Sequence, residues 1–306
     1  VLETLTEIYL PLIGWTLAGL LLLRSVPASI PKLMGRSLYW VGVPLQVLAF
    51  MQRSDLTKAV GLVPGVVSAT LLGGLGLAWL FCWRLPRDQR GGFLLSATMG
   101  NTGFVGLAIA PYLLTDEYLG WAVLFSIANN VLGSYGLGVA IASFYGAHDK
   151  QVSWLTHIKS VLTTPVLWAF SFGLWLQFQQ IELAPDLAQP LSDGLQIAAK
   201  GVAPVALLLV GIRLKQAYCR SALITALPAV LIKLILMPLA VGLAMTVLNI
   251  PEIPRLAIVL QAGMPTGLAC IIVAEEYNVN EDSIVMSIAL SSVGVLATIP
   301  LWLWLF

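Results

Sequence analysis

The chain has 306 residues, 58% of them hydrophobic and only 10% charged, with a formal net charge of +1 and a mean hydropathy of +0.90. A soluble domain carries about a quarter of its residues as charged side chains, so this composition excludes disorder, lies far from a soluble domain and describes a polytopic membrane protein. No basic cluster lies on a polar face, so nothing points to nucleic acid as a partner.

A membrane-crossing helix needs about 20 mostly apolar residues. Ten runs meet that length: Leu5–Leu23, Ile30–Met51, Leu56–Trp83, Gly91–Leu114, Leu119–Tyr145, Thr163–Ile181, Leu191–Leu214, Ser221–Leu248, Pro254–Glu275 and Ser283–Phe306. No signal-peptide n-region precedes the first run, so it is expected to be a retained helix. No polar stretch is long enough for a soluble domain, so residues 1–306 are expected to form a single transmembrane domain. The longest connector, Gly146–Leu162, separates two halves of five runs each, about 1–147 and 160–306.

The halves echo each other. Pro44 and Pro204 hold similar positions in the second and seventh runs, each followed by an arginine, Arg53 or Arg213. Pro64 and Pro228 match in the third and eighth. Five is an odd number, so the two halves must insert with opposite orientation, as in the inverted repeats of many secondary transporters. Basic residues then set the sides. Arg24, Lys32, Arg36, Arg84, Arg87, Arg90, Lys150, Lys159, Arg213, Lys215 and Arg220 fall on one side, against Arg53, Lys58 and Arg255 on the other. The bias predicts that both termini face away from the cytoplasm of a plasma (inner) membrane. Tryptophans near run ends, such as Trp15, Trp83, Trp121 and Trp304, suit an interfacial belt.

Two stretches interrupt the apolar pattern. In the fourth run stands Ala97-Thr98-Met99-Gly100-Asn101-Thr102-Gly103-Phe104-Val105-Gly106, and in the ninth Gln261-Ala262-Gly263-Met264-Pro265-Thr266-Gly267-Leu268-Ala269. Thr-Gly recurs at Thr102-Gly103 and Thr266-Gly267, a little over half the chain apart. Paired helix-breaking signals at matching places in two halves point to a transporter's midplane site. Gly100, Gly103, Gly263 and Gly267 are expected to permit unwinding. Pro265 removes an N–H and clashes with the preceding turn. Two half-helix N-termini brought together near mid-depth would suit a carboxylate, because each carries about half a positive charge. Asn101, Thr102 and Thr266 supply further hydrogen-bonding groups.

Lys233 lies midway along the eighth run, too far from either end to snorkel, and an intramembrane charge is a functional candidate by default. Three roles are open to it: replacing a bound cation by neutralising carbonyls at the crossover, pairing with an anionic substrate, or a structural lysine held by carbonyls. Lys200 is nearer a helix start and suits snorkelling. Asn129 and Asn130 can face the site or serve as inter-helix glue; Gln46, Gln261, Ser291 and Ser292 are weaker candidates of the same kind. His148 and His157 read as solvated loop residues. Cys82, Cys219 and Cys270 lie far apart without C-x-x-C spacing, so no metal site or cofactor is implied. No G-x-S-x-G, H-E-x-x-H or Walker A motif is present, which argues against an enzyme and against a nucleotide-driven pump.

The segments Asn101-Thr102-Gly103-Phe104-Val105-Gly106-Leu107 and Met264-Pro265-Thr266 resemble the auxin efflux carrier family in its bacterial form. So do Pro204–Gly211, Lys233–Pro238, Ala274-Glu275-Glu276-Tyr277-Asn278-Val279, and the closing Ala297-Thr298-Ile299-Pro300-Leu301. The resemblance covers essentially the whole chain. It implies a ten-helix, five-plus-five inverted fold, with helices 1, 2, 6 and 7 as scaffold and helices 3–5 and 8–10 as a transport domain. Helices 4 and 9 would cross at an organic-anion site, with the family's Asn and Pro mapping onto Asn101 and Pro265. Relatives suggest a homodimer. One departure is that Leu107 is followed by Ala108 and Ile109, with Pro111 only later, whereas many members place a proline directly after Gly-Leu.

The expected function is a secondary transporter or uniporter that exports a small organic anion, auxin-like or another carboxylate, by alternating access. A sodium-coupled bile-acid-type symporter is the rival within the class; a channel or a ligand-sensing receptor is the rival outside it. Clustered oxygen ligands would favour sodium, hydrophilic pore rings a channel, and binding without flux a receptor.

Overall fold

The computed structural model describes residues 2–21, 26–27, 29–52, 59–146, 162–179, 185–214 and 222–306, and over these the chain is helical apart from short connections. Helix α1 is Leu2–Leu21. Helix α2 covers residues 29–51 and widens to a π-type turn at Leu38–Gly42. Helix α3 is Ala59–Cys82 and α4 is Arg87–Thr98. Helix α5, Thr102–Leu113, opens with a π-type turn at Thr102–Gly106. Helix α6, Asp116–Tyr145, is widened over Asn129–Gly138. Then come α7 (Pro165–Gln179), α8 (Pro185–Leu214) and α9 (Leu223–Val247, widened at Ile232–Leu236). Helices α10 (Glu252–Ala262), α11 (Ala269–Tyr277) and α12 (Asp282–Leu305) complete the chain.

Among the described residues each of the ten apolar runs is mainly helical, but the fourth and ninth are each cut in two, giving α4 with α5 and α10 with α11. Five helices among the described residues are long and apolar enough to cross a membrane: Gly61–Cys82, Asp116–Tyr145, Gln189–Ile212, Leu223–Val247 and Asp282–Leu305. Each half of a cut run is too short to qualify, and α7 shows only 15 helical residues. Arg24, Arg53, Lys58, His148, Lys150, His157, Lys159, Lys215, Cys219 and Arg220 lie outside the described residues.

The helices pack in two groups. Helices α1, α2, α7 and α8 make their main contacts with one another, as do α3, α4, α6, α9, α10 and α12. The first group closes through backbone contact. A side chain at Gly19 would strike the Leu208 carbonyl of α8, and one at Gly211 would strike the Thr16 carbonyl of α1. Small residues let membrane helices approach this closely where no hydrophobic force drives them together. A buried core formed by α2, α3, α6 and α10, including Val47, Phe50, Val67, Phe125 and Ile258, holds the second group against the first. A further cluster, with Leu95, Met99, Cys270 and Ile284, packs α4 against α11 and α12.

Candidate functional site

Helix α4 stops when Met99 turns extended, with φ −90° and ψ 121°. Helix α10 stops at Gly263, and the chain resumes helix at Ala269. The two interruptions cross as a single antiparallel bridge, Gly100 opposite Thr266. The Asn101 N–H donates to the Pro265 carbonyl at 2.7 Å, and the Gly267 N–H donates to the Met99 carbonyl at 3.0 Å. In hydrocarbon an unsatisfied backbone group costs several kcal/mol, and here each break satisfies the other. Pro265 fits this pairing because it supplies the carbonyl while having no N–H to satisfy.

Side chains from the surrounding helices complete the satisfaction. Asn101 caps α5: its Oδ1 accepts from the Phe104 N–H at 3.3 Å, and its carbonyl accepts from Val105 and Gly106. The Thr266 N–H donates to Ser291 Oγ of α12 at 3.0 Å, and Thr266 Oγ1 donates to the Ser96 carbonyl of α4 at 3.0 Å. Asn129 Nδ2 of α6 lies 3.4 Å from both the Gly100 carbonyl and Thr102 Oγ1. Asn129 and Ser291 therefore brace the crossover from α6 and α12.

Lys233, on the widened turn of α9, is 1% exposed and donates from Nζ to the Ala262 carbonyl at 2.8 Å. Among the described residues it is the only Asp, Glu, Lys or Arg buried this completely. The ammonium thus caps the negative end of α10. It also fills the space beside Gly100, where a Cβ would lie 2.9 Å from Nζ.

This geometry changes the part played by the glycines. Among the described residues no glycine has a positive φ, so the unwinding does not draw on left-handed backbone. Close approach is what they allow. Gly100 makes room for Lys233, Gly106 for the Gln261 amide, and Gly267 for the Gly100 carbonyl, which would stand 3.2 Å from an added Cβ.

A cavity of about 160 Å³ opens on one face of the crossover. The first turns of α5 and α11 reach it through Gly103, Phe104, Leu268 and Ala269, and the opposite wall is Tyr39 and Val43 of α2 with Val166 and Leu167 of α7. Its polar groups are all neutral: Asn101, Asn130, Ser134, Tyr135, Tyr39 and Thr164. The Tyr39 and Tyr135 hydroxyls lie 3.0 Å apart across it, joining α2 to α6. A second cavity, about 240 Å³, lies against Pro265 and Val105 between α1, α8 and α12, and its lining is almost wholly apolar.

Of the residues singled out in the sequence, Gly100, Asn101, Gly103 and Gly267 line the polar cavity. Thr102, Thr266, Asn129 and Lys233 are buried behind it in the crossover's own hydrogen bonds, and Pro265 faces the apolar cavity. Gly263 packs between Pro238 and Trp302. Asn130, rather than Asn129, reaches the polar cavity. Sequence reasoning missed Tyr39, Ser134, Tyr135 and Thr164. A signal for two of them was present in Gly133-Ser134-Tyr135-Gly136, a polar interruption at the middle of the fifth run. Four widened turns carry Tyr39, the Asn129–Tyr135 stretch, Thr102 and Lys233, in keeping with the habit of π-bulges to gather at functional sites.

Outside the spans, partial burial, and after it the neighbours Glu275 and Asp282, hold the Glu281 carboxyl above its ordinary value.

Two broken helices that cross inside a bundle of apolar spans, beside a neutral polar cavity, define the class as integral membrane protein. The family model described as "membrane transport protein" matches residues 12–303, so the chain belongs to that family, the auxin efflux carriers that its motifs resemble. A transporter of Methanothermobacter thermautotrophicus named as uncharacterized is 24% identical over 302 residues, spanning 97% of this chain and 95% of its own. Uncharacterized transporters of Methanocaldococcus jannaschii (22% identical; 85% of this chain, 80% of its own) and of Escherichia coli K12 (26%; 76% and 74%) are also similar.

Proposed function

We propose that the protein is a secondary transporter or uniporter that exports a small organic anion across the plasma (inner) membrane by alternating access. The carrying observation is the crossover itself, where the N-terminal turns of α5 and α11 meet one cavity whose polar lining is neutral. Helix N-termini attract anions through unpaired N–H groups and the helix dipole. A carboxylate bound there meets helix dipoles and neutral groups, with no charged side chain in the cavity wall, which lets it leave again. Asn101 and Gly103 are the proposed substrate contacts, with Asn130, Tyr39 and Tyr135 beside them. Thr102, Thr266, Asn129 and Pro265 keep the breaks open. Lys233 stands as a fixed cation at the negative end of α10, doing what a bound metal ion would otherwise do.

The packing supports a mechanism of this kind. Helices α1, α2, α7 and α8 act as scaffold, and the other helices carry the crossover past it as ten spans in two inverted five-helix repeats. The two cavities support this reading, since each lies between scaffold helices and the crossover and their linings share no residue. One is polar, with Asn101 at the break; the other is apolar, with Pro265 there.

The test is uptake of radiolabelled indole-3-acetate, benzoate and malate into proteoliposomes, with and without a sodium gradient. Saturable, protein-dependent flux of at least one acid without sodium is expected. Sodium-dependent flux would move the assignment to a coupled symporter; binding without flux would make the protein a receptor.

A further inference from the structure

A third cavity stands beside the polar one, and the transporter reading as it stands gives it no role. It measures about 400 Å³ and is lined by Lys32, Gly35, Arg36 and Tyr39 of α2, by Leu209 of α8, and by Leu268, Ile271, Ile272 and Glu275 near α11. Tyr39, Phe104, Leu268 and Ile272 line both cavities, so they form the neck between them. Lys32, Gly35, Arg36 and Tyr39 recur at helical spacing, which sets both cations and the neck tyrosine on one face of α2.

Helix energetics do not explain these cations. Lys32 lies in the first turn of α2, which begins at Ser29, and the positive end of a helix dipole disfavours a cation there. Arg36, one turn on, adds like-charge repulsion. The bias of basic residues toward one membrane side accounts for finding them near the membrane surface. It does not account for both facing a cavity that leads to the crossover. Glu275 on the opposite wall balances only one of the two, so the mouth keeps an excess positive charge, while the polar cavity beyond the neck has no Asp, Glu, Lys or Arg in its lining.

We propose that this vestibule is an encounter site for the substrate's carboxylate: Lys32 and Arg36 collect the anion and pass it over the Tyr39–Phe104–Leu268 neck to the helix N-termini. The inference rests on the transporter reading above and adds a second, charged station to it. Steering by such a patch raises the capture rate and weakens with salt, whereas a site made of dipoles in a water-poor cavity is screened far less.

The experiment compares the full-length protein with Lys32→Gln/Arg36→Gln and with the charge-conserving Lys32→Arg/Arg36→Lys, all in phosphatidylcholine vesicles. The probe is whichever of the three acids gives saturable uptake. Ionic strength is raised from ~0.01 M to ~0.15 M, which shortens the Debye length from ~30 to ~8 Å. The neutral pair is expected to raise the half-saturation concentration about three- to tenfold at low salt, to keep the maximal rate, and to lose the salt dependence. The charge-conserving pair should behave as the parent does. An unchanged half-saturation and salt slope in the neutral pair would overturn the vestibule while leaving the transporter reading intact. Absence of any saturable flux in the parent protein would overturn both. A third outcome separates a lipid phosphate from a free anion. If phosphatidylglycerol raises the melting temperature of the parent but not of the neutral pair, and flux is unaffected, the cations bind lipid headgroups and the proposal falls.

Discussion

At the scale of single residues, the crossover separates side chains that line the cavity from side chains that hold the backbone. Asn101 does both, because it lines the cavity and caps α5. Lys233 does only the second, through the Ala262 carbonyl. Asn101→Ala is expected to abolish most flux at a cost of about 1 kcal/mol in stability, the usual worth of a cap. Lys233→Ala is expected to impair flux with expression retained, but to cost about 1–3 kcal/mol by leaving a buried carbonyl without a donor. Flux per folded protein alongside thermal melting in detergent checks both; normal flux in the two variants would remove these residues from the site. Glu281 gives a pH prediction. Its raised value means that the folded protein holds this proton to higher pH than the unfolded chain does. The stabilising contribution is therefore complete below the unfolded carboxyl value of about 4.3 and is lost as pH rises through the raised one. Glu281→Gln should raise the melting temperature slightly near neutral pH and leave it unchanged near pH ~4, below that unfolded value.

At the scale of elements, prolines write breaks that other helices must repair. Pro111 stands four residues after Leu107, so the Leu107 carbonyl lacks the N–H that a regular helix would supply. Gln46 of α2 fills that place, donating from Nε2 at 3.1 Å. Pro111 thus ties half-helix α5 to α2 through one amide. Gln46→Leu should cost about 1–2 kcal/mol in the parent chain, for the orphaned carbonyl. In a Pro111→Ala background, where an N–H is restored, it should cost much less. A double-mutant cycle on thermal or denaturant stability measures the coupling; strictly additive losses would show that the bond does not serve this repair.

At the scale of the whole molecule, the distribution of Lys and Arg predicts that both ends of the chain lie away from the cytoplasm. Alkaline phosphatase fused after Phe306 should be active in cells, and a fluorescent protein fused there should stay dark. The reverse pattern would turn the vestibule of Lys32 and Arg36 to the opposite side and make the proposed direction of transport an import.

Much of the architecture was legible in the residues because its causes are local. Apolar length specifies a membrane helix, and glycine and proline at matched places in two halves announce where helices stop. The helix breaks at Asn101 and Pro265 were found in this way. What needed the tertiary structure was the sorting of polar residues around the break. Asn129 and Asn130 are neighbours with the same chemistry, yet one binds the crossover backbone while the other faces the cavity, because adjacent positions on a helix point in different directions and only packing decides which meets what. Tyr39, Tyr135 and Thr164 come from three distant segments, and no periodicity relates them. Lys233 was conspicuous as a charge in an apolar run, but only the fold shows its partner to be a carbonyl at the end of α10. Composition and spacing determine that the chain enters a membrane and where its helices must break; which groups meet across a break depends on contacts between helices far apart in sequence, and these form only on packing.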